Sequence, residues 1–114
     1  MPWIRQLLRT SSTILVMAAL FVPAVSKADM PSDVRKAELT NMVRQDCGSC
    51  HGMTMKGGLG KPLLPQALKD LSREDLEEII LDGVAGTPMP PWRGLLNEDE
   101  VRWIATELKK GLKQ

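Results

Sequence analysis

Two cysteines and the only histidine of the chain stand together as Cys47-Gly48-Ser49-Cys50-His51. At i, i+3 and i+4 on a helical turn, all three side chains point to one side. Two thiols at that separation can each add across one vinyl group of a haem, and the imidazole beside them reaches the iron from the same face. The spacing C-x-x-C-H is the haem-attachment signature. Three other chemistries use cysteines so arranged. A redox Cys-x-x-Cys pair wants a βαβ setting. A tetrahedral zinc site wants four ligands, which two Cys and one His do not make. A disulfide between Cys47 and Cys50 closes too small a loop to stabilise much. The expected centre is one covalent haem c on Cys47 and Cys50, with His51 as the first axial iron ligand.

The second axial position is a choice among methionines. Met53 and Met55 follow His51 too closely to reach the opposite face of a haem. Met30 and Met42 precede the motif, and Met42 fits core packing. Met89 sits in Gly86-Thr87-Pro88-Met89-Pro90-Pro91-Trp92, where prolines fix the backbone and forbid regular structure. It also lies far enough beyond His51 for the chain to cross the haem edge and return. Ligation by His51 and Met89 raises the reduction potential and leaves no open site, which describes an electron carrier. If Met89 is an ordinary hydrophobe in a turn, the iron is five-coordinate and open to a gas or peroxide. His51 is expected to donate its other ring N–H to a carbonyl, for which Pro62 is the candidate. Trp92 and Arg93, next to Met89, are candidates for hydrogen bonds to a haem propionate; the alternatives are that Trp92 covers the haem edge and Arg93 is solvated.

The elements that must position these residues read as helices. A first helix is predicted from about Pro31 to Cys50, capped by Ser32 or Asp33, with Val34, Leu39, Met42 and Val43 on its apolar face. A glycine-rich loop follows from Gly52 to Pro65, with a short helical turn around Gln66 to Lys69. Ser72 and Asp75 open a middle helix with Leu76, Ile79 and Ile80 as its stripe and Gly83 as its stop. Asn97 and Glu100 open a last helix that runs to about Leu112, burying Val101, Ile104, Leu108 and Leu112, with Lys109, Lys110 and Lys113 at the negative end of its dipole. No strand pattern competes, so the class is all-α with long loops. Loops of that length in so small a domain call for a ligand to organise them.

The chain has 114 residues, three Trp, one Phe and no Tyr. It is one small domain with little aromatic core, for which a cofactor is a natural reinforcement. Residues 1–28 read as a signal peptide. Arg5 and Arg9 are basic, Ile14 to Val22 is apolar, Pro23 breaks the run, and Ser26-Lys27-Ala28 has small residues where a peptidase cuts. The apolar run is too short for a membrane anchor, and the arginines are not paired, so a Sec-type route to the periplasm is expected. Residues 29–114 then form the domain. They carry twelve Lys and Arg against fourteen Asp and Glu, a net charge of −2, which argues against a nucleic-acid partner.

With its first helix ending in Cys47-x-x-Cys50-His51, a Gly-Pro-rich loop, a middle helix, a Met-Pro loop and a final helix, the chain resembles class I cytochromes c. Asp46 to Thr54, Lys56-Gly57-Gly58-Leu59-Gly60 and Gly86 to Trp92 are similar to the small cytochromes c55X found with denitrification nitrite reductase genes. One departure is Lys61, which stands between Gly60 and Pro62 where many class I sequences have Gly-Pro directly. The resemblance implies three to five short helices around one haem, crossing first and last helices, and the assigned roles of Pro62 and Met89. It also implies a monomeric, non-enzymatic carrier of single electrons to cytochrome cd1 nitrite reductase. The alternative is an accessory role with the proteins that mature the d1 haem of that reductase.

Overall fold

The computed structural model describes residues 29–113; the expected signal peptide, residues 1–28, lies outside them. Helix α1 (Asp33–Met42) begins where the Ser32 hydroxyl accepts the Arg35 N–H at 3.2 Å, a side-chain cap for one of the orphan donors of a helix start. The helix then widens into a π turn (Val43–Cys47), in which the Gly48 N–H reaches the Val43 carbonyl five residues back. It resumes as α2 (Gly48–His51). The first helix expected from the sequence is therefore interrupted once. A π turn accommodates one extra residue and rotates everything after it, so the buried positions fall at Leu39, Val43 and Gly48, spaced by four and then by five. Val34, expected on the apolar stripe, is exposed instead, because α1 buries only its second half.

Helices α3 (Arg73–Asp82) and α4 (Glu98–Lys110) both start with reciprocal caps. The Asp75 N–H donates to Ser72 Oγ at 3.0 Å and the Ser72 N–H to Asp75 Oδ2 at 2.9 Å. Asn97 and Glu100 repeat the arrangement at 2.9 and 3.0 Å. Between α2 and α3 the chain makes turns rather than a helix around Leu64 to Leu71. Among the described residues there is no strand, and no helix is long and apolar enough to cross a membrane. The class is all-α, as expected.

Helix α4 is the keystone. It packs along α3 on one side and against α1 on the other. Its buried arc of Val101, Trp103, Ile104, Ala105 and Leu108 is accordingly wider than the single stripe read from the sequence. Leu112 lies past its end and only partly against the core. Leu39, Val43 and Val101 are the fully buried large side chains. At the α1–α4 contact Arg35 Nε donates to Glu100 Oε1 at 2.6 Å, and the Glu100 side chain is only 12% exposed. That guanidinium, helped by the Asn97 N–H, holds the Glu100 carboxyl below its ordinary value. Lys109 Nζ donates to the carbonyls of Leu68 and Leu71, tying the preceding turns to α4.

Two stability measurements check this packing. Leu39→Ala removes a side chain with no exposed surface and is expected to lower unfolding free energy by about 2–5 kcal/mol in a guanidinium titration. Glu100 contributes stability that is fully present above the unfolded carboxyl value of 4.5 and lost as pH falls through its lower folded value. The stability gap between wild type and Glu100→Gln should therefore be constant near neutrality and shrink below that pH.

Candidate haem site

Cys47 closes the π turn, and Cys50 and His51 lie on α2, so the change of helical register falls just before the three reactive side chains. Both cysteines are free. Cys47 is half-buried against the core and Cys50 is exposed. Burial, with a smaller contribution from the Asp46 carboxylate, pushes the Cys47 thiol up to about 11. A redox-active cysteine needs the opposite shift, toward thiolate at neutral pH, which Cys47 does not have. Among the described residues, no three His, Cys, Asp or Glu side chains come together to hold a metal ion, which leaves the zinc reading without a ligand set.

A helix end leaves carbonyls without intrahelical partners. Here the glycine-rich loop doubles back to supply them. The Gly57 N–H donates to the His51 carbonyl at 2.7 Å and the Gly60 N–H to the Cys50 carbonyl at 2.8 Å. This return brings Gly60 flush against the imidazole; a Cβ built on it would lie 2.7 Å from both Nδ1 and Cε1 of His51. The next residue completes the support, with His51 Nδ1 2.6 Å from the Lys61 carbonyl.

That carbonyl was expected from Pro62, and the structure corrects the assignment by one residue. The acceptor belongs to whichever residue follows the glycine at the ring, and here that residue is Lys61. A proline at position 62 disfavours the helical region for Lys61, which limits the directions its carbonyl can take. A carbonyl only accepts, so Nδ1 carries the proton and Nε2 keeps a free lone pair for a metal.

The loop also contains Met55, at φ +61° and 6% exposed. It packs into the core beside Gly48. The sequence offered no sign of this, because nothing in its spacing marks a left-handed methionine.

The remaining candidates sit on the connector between α3 and α4. Met89 is half-buried on it. Trp92 packs partly against the core and its N–H donates to the carbonyls of Ile80 and Leu81, both at 3.1 Å. Arg93 is exposed and paired with two carboxylates. Its Nε and Nη2 lie 2.9 and 2.8 Å from Asp82 Oδ1, and Nη1 lies 3.7 Å from Glu98 Oε1. The last residue of α3 and the first of α4 are both acidic, so the cation between them bridges the two ends of the connector.

The donor set fits a covalent haem: two free thiols and an imidazole with its outer nitrogen fixed, on one turn. Gly60→Ala tests the seat of the ring. Its methyl cannot be accommodated without moving an imidazole already held at Nδ1, and overpacking of this kind costs about 1–3 kcal/mol. The holoprotein is expected in lower yield and with a displaced ferric Soret band; an unchanged spectrum would show that the close approach is immaterial.

Known proteins share this sequence and fold. The family described as cytochrome C oxidase, cbb3-type, subunit III matches residues 34–106. Cytochrome c55X of Paracoccus denitrificans is 49% identical over 96 residues, covering 84% of this chain and 93% of the relative. Cytochrome c55X of Pseudomonas aeruginosa is 46% identical over 99 residues, covering 85% and 83%. Among solved structures, the c-type cytochrome NirC superposes with a TM-score of 0.70 at 46% identity, over 72% of this chain and 96% of that one. The dihydro-heme d1 dehydrogenase NirN gives 0.60 at 31% identity, over 65% of this chain and 16% of that one. The chain belongs to the c-type cytochromes, among the relatives of cytochrome c55X: an electron-transfer protein with one covalently attached haem c, and not an enzyme.

Proposed function

We propose that Cys47 and Cys50 carry the haem c, that His51 and Met89 are its axial iron ligands, and that the protein passes single electrons in the periplasm to cytochrome cd1 nitrite reductase. The observation that carries the reading is the Cys47-Cys50-His51 turn, with free thiols and an imidazole whose Nδ1 is engaged by the Lys61 carbonyl. Haem c supplies a one-electron ferric/ferrous couple. Cys47 anchors it on the buried side and Cys50 on the exposed side. His51, held through Nδ1, would offer Nε2 to the iron, and Met89 would supply the second ligand.

Contact with a partner is supported by the loop after His51. From Gly52 to Lys69 the chain has Lys56, Lys61 and Lys69 and no acidic residue. Lys56 and Lys61 flank Leu59, which is 95% exposed, and the neighbouring Gly60 N–H is bonded to the Cys50 carbonyl. An apolar tip with basic neighbours beside the exposed cysteine suits a short-lived contact with an acidic surface.

Accessory work in d1 haem maturation is the second reading. It is favoured by the likeness to a solved dehydrogenase named for dihydro-heme d1. Deleting the gene separates the two. A carrier's loss leaves nitrite reductase with normal d1 haem but slow turnover, whereas a maturation factor's loss leaves it without d1 haem.

The wild-type ferric protein is expected to show the methionine-to-iron charge-transfer band in the far red, and Met89→Ala to lose it; a variant that keeps the band would remove Met89 from the iron. Electron transfer to cytochrome cd1 nitrite reductase should slow with added salt and in the double variant Lys56→Glu, Lys61→Glu, and rates indifferent to both would place the contact elsewhere.

A further inference from the structure

The connector between α3 and α4 engages Met89 at both polar atoms of its main chain. Gly83 ends α3 with φ +67° and ψ −169°, a region open in practice only to glycine. A Cβ there would lie 2.6 Å from the Met89 carbonyl oxygen and 2.8 Å from Pro90 C and Pro91 N. All three are backbone atoms that cannot rotate aside. The Met89 carbonyl accepts the Val84 N–H at 3.3 Å, and the Met89 N–H donates to Thr87 Oγ1 at 3.3 Å. The same hydroxyl donates to the Val84 carbonyl at 2.7 Å. Pro88, Pro90 and Pro91 fix φ at three further positions. At the neck, the Trp92 and Arg93 N–H groups close onto the carbonyls of Ile80 and Leu81 at 3.1 Å.

Both polar main-chain atoms of Met89 are thus engaged inside its own loop, and the loop is pressed against Gly83, where a side chain would not fit. We infer that Gly83 and the Thr87 hydroxyl are positioning residues for Met89, setting how readily its sulfur leaves the iron and lets an external ligand in. The inference rests on Met89 being the axial ligand. The two remaining glycines near this loop give a comparison. Gly86 and Gly94 would each meet nothing within 4 Å if given a Cβ, and Gly94 has no positive φ. Substitution at Gly94 therefore changes the chain chemically without disturbing the seat.

Cyanide binding to the ferric holoprotein, followed at the Soret band, reads the escape of the sulfur directly. Wild type should bind cyanide slowly and show the far-red charge-transfer band. Gly83→Ala is expected to bind about tenfold faster, equivalent to about 1.4 kcal/mol of lost restraint, and to show a weakened band. Thr87→Val should move in the same direction, Thr87→Ser should restore the wild-type rate, and Gly94→Ala should leave it unchanged. Guanidinium midpoints measured in parallel separate a merely structural role, which would lower the midpoint without accelerating cyanide.

If Gly83→Ala and Thr87→Val bind at the wild-type rate with the band intact, or if Gly94→Ala accelerates as much as they do, the inference is overturned. Should Gly83→Ala not fold, the Thr87 pair decides. A wild type without the band is a different failure, which removes Met89 from the iron and takes the inference with it.

Discussion

The contact between His51 Nδ1 and the Lys61 carbonyl sets the terms for much of the domain. It requires a chain that ends a helix at His51 and then reverses within ten residues to stand beside the ring it has just left. Such a reversal pairs the carbonyls of Cys50 and His51, brings Gly60 against the imidazole, and leaves Leu59 exposed to solvent. The helices answer to the same constraint. The π turn aims the last residues of the first helix, Val43 and Gly48 seat it, and α4 holds it from behind through Val101 and the Arg35–Glu100 pair. A cofactor held on one short turn needs that turn to be rigid, and here the rigidity comes from both directions along the chain.

What could be read in advance divides along physical lines. Ser32, the Ser72–Asp75 box and the Asn97–Glu100 box were legible because capping is local: the donor and acceptor lie three residues apart, and composition alone announces them. The Cys47-Cys50-His51 motif was legible for the same reason. The π turn was not, since it arises from the competition between α1 seating Leu39 and α2 seating Gly48 on the same core, which no window of sequence contains. Trp103 and Ala105 were missed because α4 serves two neighbours, and a stripe read at helical spacing allows for one. The pairing of Arg93 with Asp82 and Glu98 was not legible, because those partners meet it only after the connector folds.

The loop after His51 and the connector that carries Met89 are held by opposite means. The first is rich in glycine and relies on hydrogen bonds from main chain to main chain, closing on the helix that precedes it. The second is rich in proline, which removes donors and freedom together, and relies on a hydroxyl and on a close backbone contact. Glycine permits the approach to the ring, and proline limits the excursions of Met89.

Lys61 joins two unrelated tasks in one residue, and it does so with different atoms. Its carbonyl supports the imidazole, while its side chain lies in solvent among the cations of an acid-free segment. Every residue type carries such a carbonyl, so the support of the ring does not depend on the lysine side chain. Substitution at this position can therefore reshape the outer surface while leaving the carbonyl at the imidazole in place.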